Sequence, residues 1–340
     1  MRDTIALPVA ESSQAGEARR AASLLADRAG FDEVGRGKVA LVATELATNL
    51  ARHATRGMLV FSILSSGPAR GLEILSIDRG PGMADFRRCL VDGYSSLDSP
   101  GNGLGAVARI ADEFDAHSAP GEGTVLAARL WAVPPSRGRA GPALDVAAVC
   151  LPMAGEAECG DAWAAVEPEP GRTTILLADG LGHGPAAARA ADEAVAALRR
   201  GVGSSPSDVI HEAHRSMKGT RGAAVAVARV DLGRREVRFA GVGNIAATII
   251  APGSRHGLVS LSGTVGGDVR KVQEFAQPWP PGALLVMHSD GLATQWRLDR
   301  QSPLAARMPG VIAGVLFRDF ARDRDDSTAL VARDRGANPG

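Results

Sequence analysis

Apolar and polar positions along this chain switch between helical and strand spacing, and the switches mark out its elements. Thr4–Val9 reads as a short strand. Residues 16–29 and 32–54 read as helices, the second with Val39, Val42, Leu46 and Leu50 as its buried stripe. Strands are predicted over 58–64 and 72–77. Glycine-rich loops follow around Arg79–Gly82 and Pro100–Gly105, then a helix over 104–114 and a closing strand over 124–131. The rest is richer in strands, predicted over 143–150, 161–166, 173–178, 223–231, 236–242, 245–250, 283–287 and 328–332. Helices over 185–200 and 207–218 interrupt them. The segments 223–231 and 236–242, joined by Leu232-Gly-Arg-Arg235, predict an antiparallel hairpin. Helices combined with hairpin-spaced strands imply α+β layers, not an alternating βαβ fold.

One composition break divides the pattern. Val133-Pro-Pro-Ser-Arg-Gly-Arg-Ala-Gly-Pro142 can continue neither a helix nor a central strand and reads as a linker. The expected division is a first domain over 1–132, a linker over 133–142 and a second domain over 143–334. For 340 residues, two domains is the natural number. Lys and Arg total 38, as do Asp and Glu, which argues against nucleic-acid binding by bulk charge. Three scattered cysteines, Cys89, Cys150 and Cys159, support neither a disulfide framework nor a thiolate zinc site. No apolar run approaches the ~20 residues of a membrane span, and the start of the chain has no signal pattern. A soluble cytoplasmic protein with no membrane partner is expected.

Candidate chemistry in the first domain begins on the second predicted helix. Glu45 and Asn49 are four residues apart and share a face beside the apolar stripe, with His53 continuing the row. In isolation this row also reads as a solvated face; as a ligand face it offers hard oxygens to Mg²⁺. Asp78-Arg-Gly-Pro-Gly82 ends an apolar strand with an acid suited to an exocyclic amine such as adenine's, and glycines that admit a base. Gly101-Asn-Gly-Leu-Gly105 opens a helix whose N–H groups suit phosphates. Gly121-Glu-Gly-Thr124 is a further turn. No P-loop motif is present.

Taken in order, these segments resemble the GHKL ATPase superfamily, and most closely the anti-sigma-type serine kinases, including the stressosome switch kinase. Ala29-Gly-Phe31, Glu45-Leu-Ala-x-Asn49 and Asp92-Gly-Tyr-Ser95 add to that likeness, which spans about residues 4–131. The resemblance implies a Bergerat-type α/β sandwich that binds ATP and Mg²⁺. Asn49 would hold Mg²⁺ and Asp78 would read adenine. Gly80, Gly82, Gly101, Gly103, Gly105 and Thr124 would line the nucleotide pocket, and Glu45 would be the catalytic base. His53 is expected to be structural.

In the second domain, acids recur where predicted strands meet loops: Cys159-Gly-Asp161, Asp179-Gly-Leu-Gly-His-Gly184, Ser289-Asp-Gly291 and Arg324-Asp-Asp-Ser-Thr328. Any one Asp-Gly pair can be a simple turn. Four carboxylates converging at a sheet end would repel one another unless cations neutralise them, and all-oxygen ligation suits Mg²⁺ or Mn²⁺. Two such ions would lower the pKa of a bridging water and clamp a phosphoryl group.

With Gly155-Glu-x-x-Cys-Gly-Asp161-x-Trp and Asp325-Asp-x-Thr328, the pattern resembles the metal-dependent PPM protein phosphatases. Within them it resembles the stage II sporulation protein E branch, and most the stressosome feedback phosphatase, over about 143–333. The resemblance implies a four-layer αββα sandwich. Asp161 and Asp179 would bridge a pair of Mn²⁺ or Mg²⁺ ions and carry catalysis, with Gly180, Asp290 and Asp326 completing the metal site. Asp325 is expected to support the ligands, and His183 reads equally as a leaving-group acid or a loop brace. His288 receives no role, Gly241-Val-Gly-Asn244 and Gly263-Thr-Val-Gly266 read as turns and rim loops, and Trp163 and Trp296 read as packing. An arginine on the early strand, where many relatives grip phosphate, is missing.

Together the two resemblances imply a bifunctional protein serine/threonine kinase and phosphatase acting on a STAS-domain partner-switching protein, with a sigma-factor pathway component as a further partner. The alternative is a first domain that binds ATP only to sequester a partner, with the phosphatase domain alone catalytic.

Overall fold

The computed structural model describes residues 4–66, 68–86, 88–90, 103–135, 144–298, 302–322 and 324–335. The chain divides into two compact units, Met1–Ser136 and Arg137–Gly340.

In the first unit, β1 (Thr4–Val9), β2 (Gly57–Ser66), β3 (Ala69–Asp78), β4 (Glu113–Ala119) and β5 (Gly123–Val133) form one antiparallel sheet in the order β1-β2-β3-β5-β4. The helices are α1 (Ala15–Arg28), α2 (Glu33–His53) and α3 (Gly103–Ile110). Asp32 caps α2, its carboxylate accepting from the Gly35 N–H at 2.7 Å. The apolar stripe of α2 then packs Val42, Leu46 and Leu50 against Phe61, Leu72, Ile74 and Leu126 of the sheet. The 3.6-residue helical period and the two-residue strand period thus meet in one core.

The helix expected over 104–114 stops at Ile110, and Phe114 lies in β4. Beyond Ile110 the backbone changes partner. The Asp112 N–H donates to the Arg129 carbonyl at 2.9 Å, and the Asp112 carboxylate accepts from the Trp131 N–H at 2.8 Å. Pairing along the sheet edge overrides the local helical pattern. Val133, read as linker, is the last residue of β5.

In the second unit, β7 (Asp161–Glu169), β8 (Arg172–Gly180), β9 (Ala223–Asp231), β10 (Glu236–Val242) and β13 (Glu274–Pro278) form a sheet in the order β13-β10-β9-β8-β7. β6 (Leu144–Leu151), β11 (Ala246–Ala251), β12 (Ser254–Leu258), β14 (Leu284–His288) and β15 (Ser327–Asp334) form another in the order β12-β11-β14-β15-β6. The sheets meet through Ile175, Leu177, Ala226 and Phe239 on one side and Ile249, Leu285, Met287 and Leu330 on the other. Helices α4 (Pro185–Arg200) and α5 (Pro206–Ser216) cover the outer face of the first sheet, with Ala190, Ala194, Val209 and Ile210 against Leu176, Val225 and Val227. Helix α6 (Pro309–Phe320) packs on β15 and β6. The result is an αββα sandwich. The elements β4, β12, β13 and α6 were not among those predicted.

Candidate active sites

In the first domain, α2 carries Glu45 and Asn49, and the start of α3 lies over both. A Cβ built on Gly103 would stand 3.0 Å from Glu45 Oε2 and 3.4 Å from Asn49 Oδ1. Asn49 Nδ2 is buried and, among the described residues, has no hydrogen-bond partner. A buried amide donor left unpaired costs free energy, so this atom fits a site built to meet a ligand oxygen. Asp78 ends β3, nearly buried, with Oδ1 accepting from the Gly80 N–H at 2.7 Å. In strand register Asp78 is paired with Thr124, whose hydroxyl lies 2.9 Å from Ser118 Oγ.

Gly82 has a left-handed φ of 67°, and a side chain there would overlap the Ala119 carbonyl. The Asp78 loop therefore closes tightly over the turn between β4 and β5. Glu45 and Asn49 are brought together with Gly103, and Asp78 with Gly80 and Thr124. Gly105 is buried within α3. Gly101 and Asp92–Ser95 lie outside the described residues. His53 sits exposed at the last turn of α2.

In the second domain the organising contact is a strand pair. Asp161 opens β7, Asp179 lies near the end of β8, and the two are register partners. Asp161 is 1% exposed. Its Oδ2 accepts from Ser289 Oγ and Thr328 Oγ1, both at 2.7 Å, while its Oδ1 is buried with no partner among the described residues. Asp326 is held by the N–H groups of Met153 at 2.9 Å and Gly160 at 2.8 Å. Asp290 Oδ2 accepts from Asn244 Nδ2 at 2.7 Å. Gly180 donates its N–H to the Gly160 carbonyl at 3.1 Å. A side chain on Gly160 would collide with Asp326 Oδ2, so the backbone reaches that carboxylate only as glycine.

Burial pushes the Asp161 carboxyl up to about 7, with Asp326 and Asp325 adding to the rise against the bonds from Ser289 and Thr328. Asp179 is pushed up to about 9, first by burial and then by the charges of Asp161, Asp290, Asp325 and Asp326. Asp290 also rises, by burial and by Asp325, opposed by Arg322 and Asn244. These carboxylates feel one another in a partly dry site, a cost that bound cations would relieve.

Among the described residues, no three His, Cys, Asp or Glu side chains form a ready-made metal cage. An ion such as Mg²⁺ does not need one: it keeps several waters and takes one or two carboxylates. The orphaned Asp161 Oδ1 and the hard-oxygen donor set fit such an ion.

His183 Nδ1 lies 2.6 Å from Glu156 Oε1. The sequence had marked His183 but gave Glu156 no role of its own. Ser289, Thr328 and Asn244 were also missed as supports of the acids. Ser and Thr beside Asp in a strand-end motif are ambiguous until the strands are paired. His288 is buried, accepting from Trp296 Nε1 at Nε2 and facing the Ser289 carbonyl with Nδ1, a packing role. Cys150 and Cys159 are free thiols with sulfurs 3.7 Å apart.

The fold and these sites define a class: an ATPase-type α/β domain joined to a phosphatase-type αββα domain. A family model described as histidine kinase-like ATPase domain matches residues 9–130. One described as stage II sporulation protein E (SpoIIE) matches residues 169–333. The serine/threonine-protein kinase RsbT of Bacillus subtilis (strain 168) is 34% identical over 114 residues, covering 34% of this chain and 86% of RsbT. A solved structure described as the bacterial stressosome, a modular system adapted to control secondary messenger signalling, is 29% identical with a TM-score of 0.51. The match covers 56% of this chain and 99% of that one. RsbX in complex with magnesium is 19% identical with a TM-score of 0.49, over 56% of this chain and 95% of that one. Through its first domain the chain belongs to the family of the RsbT serine/threonine kinase, and behind that domain lies the segment that matches the SpoIIE model.

Proposed function

We propose that the chain is a two-site switch enzyme that phosphorylates and dephosphorylates serine or threonine on a STAS-domain regulatory protein. The observation that carries this reading is the cross-strand pair Asp161–Asp179, with its orphaned buried oxygen, in the same chain as a first domain that retains Glu45 beside Asn49.

In the first domain Asn49 would hold Mg²⁺ with ATP, Asp78 would receive the adenine amine, and Gly80, Gly82, Gly103, Gly105 and Thr124 would form the pocket wall, with Gly101 completing it. Glu45 would accept the proton of the substrate hydroxyl as it attacks the γ-phosphoryl group. In the second domain Asp161, Asp179, the Gly180 carbonyl, Asp290 and Asp326 would hold a pair of Mn²⁺ or Mg²⁺ ions. When bound, such a pair supplies charge neutralisation and an activated water. Ser289 and Thr328 fix Asp161 by donating to one oxygen, which keeps the other directed to the site. Glu156 holds His183 through Nδ1, leaving Nε2 to serve the leaving serine oxygen. The regulatory setting named for RsbT-like and stressosome relatives supports a client of that type, and a cytoplasmic location fits it. No helix among the described residues is long and apolar enough to cross a membrane.

The test follows label from [γ-³²P]ATP into a STAS-domain protein and out again. Asp179→Asn should accumulate phosphorylated partner. Asn49→Ala should make none, yet still dephosphorylate partner supplied in the phosphorylated form. Intact ATP binding without any transfer would favour sequestration over catalysis.

A further inference from the structure

The phosphatase reading leaves one chemical need unmet. Asp161, Asp179, Asp290, Asp325 and Asp326 act on one another's charge, and the product of the reaction is a phosphate anion. Five ionised carboxylates with two divalent cations would sum to about one net negative charge, so an incoming phosphoryl dianion would gain from a further cation at the rim.

Of the nearby cations, Arg322 is committed, since its Nη1 donates to the Asp290 carbonyl at 3.2 Å. Arg221 is different. It is exposed, and among the described residues it has neither an ion pair nor a hydrogen bond. Yet it does not trail into solvent. A Cβ on Gly182 would stand 2.9 Å from Arg221 Nη1, so the guanidinium lies against the backbone of the loop that follows Asp179. That loop is clamped from both sides. On the acidic side, Gly180 donates to the Gly160 carbonyl, and a Cβ on Gly160 would stand 3.3 Å from the Gly182 carbonyl. On the other side, Leu181 donates to the Gly222 carbonyl at 3.0 Å, which fixes the segment carrying Arg221. Arg221 is thus separated from the Asp161–Asp326 side of the site by a single loop that only glycine at 182 leaves open, with φ at 83°.

We infer that Arg221 is the phosphate-gripping residue of the second domain, binding the phosphoryl oxygens of phosphoserine or phosphothreonine from the loop before β9. This rests on the phosphatase reading. It places the cation on a segment remote in sequence from the early strand where an arginine is missing. A planar guanidinium presents paired N–H donors that match two phosphoryl oxygens, and an ammonium would supply charge without that fork.

The test uses the full chain with Mg²⁺ or Mn²⁺, a phosphoserine peptide as substrate, and inorganic phosphate as a direct ligand read by ³¹P line broadening. Arg221→Ala should weaken phosphate binding and raise the peptide KM by on the order of tenfold, with kcat changed much less. Arg221→Lys should recover part of the loss. Arg199→Ala, at the far end of α4, should match wild type and control for net charge. If wild type releases phosphate from the peptide and Arg221→Ala matches it in both KM and phosphate binding, the assignment is wrong. It is equally wrong if Arg324→Ala, and not Arg221→Ala, produces the loss. If wild type releases no phosphate at all, the phosphatase reading falls and this subsite falls with it.

Discussion

Asp161 and Asp179 show how position changes the proton affinity of an ordinary side chain. Both are aspartates in unremarkable turns by sequence, and both have their carboxyls raised, chiefly by burial and then by neighbouring acids. A carboxyl whose folded pKa lies above its unfolded value of about 3.9 contributes stability that is complete below about pH 4. That contribution is lost as pH rises through about 7 for Asp161 and about 9 for Asp179. Without divalent ions, the urea midpoint of the second domain should therefore fall between pH 5 and 9, and saturating Mg²⁺ should reverse the trend. A midpoint independent of pH in both conditions would refute the electrostatic picture. Thr328→Val removes one of two donors to Asp161 Oδ2 at almost constant volume. It should cost about 1–3 kcal/mol by denaturant melts and lower phosphatase activity.

Elements differ in how openly the sequence declares them. Helix α2 was legible because its stripe repeats over many turns and Asp32 marks its start. Helix α6 was not: Pro309–Phe320 is buried nearly all round, so no polar face reveals a helical period. Strands β12 and β13 are short and each lies at the edge of a different sheet, with polar or half-buried residues that do not alternate cleanly. β4 was hidden behind the helical run that precedes it. Its pairing with β5 also joins Arg129 to Glu113 at 3.2 Å, while β3 supplies Glu73 at 2.7 Å. Arg129 and Glu73 are almost fully buried. Arg129→Ala should destabilise the first domain by about 3–5 kcal/mol, because it removes the guanidinium paired with the buried Glu73 carboxylate. A calorimetric scan showing no change would contradict that.

At the scale of the whole molecule, the order of motifs carried more than any single motif. The acids of the second site come from β7, β8, the turn after β14 and the start of β15, so only the folded sheets could show which hydroxyls and amides hold them. The positions of Asp161, Asp179, Asp290 and Asp326 near strand ends were legible. The contacts of Glu156 with His183 and of Asn244 with Asp290 were not, since a polar residue in a glycine-rich turn has many uses. Under the proposed function, two opposed activities in one chain would raise the effective concentration of a shared client at both sites. Accordingly, Asn49→Ala and Asp179→Asn chains mixed in trans should cycle a dilute partner more slowly than wild type does, measured as ATP turned over per partner.

Calorimetric titration of the full chain with Mn²⁺ and Mg²⁺ at pH 7, in buffers of different ionisation enthalpy, probes the metal claim most directly. Binding should release protons, because carboxyls held partly neutral must ionise to accept the ions. Asp179→Asn should lose both the binding and the proton release. Undiminished binding by Asp179→Asn, or binding by wild type with no proton release, would contradict the account.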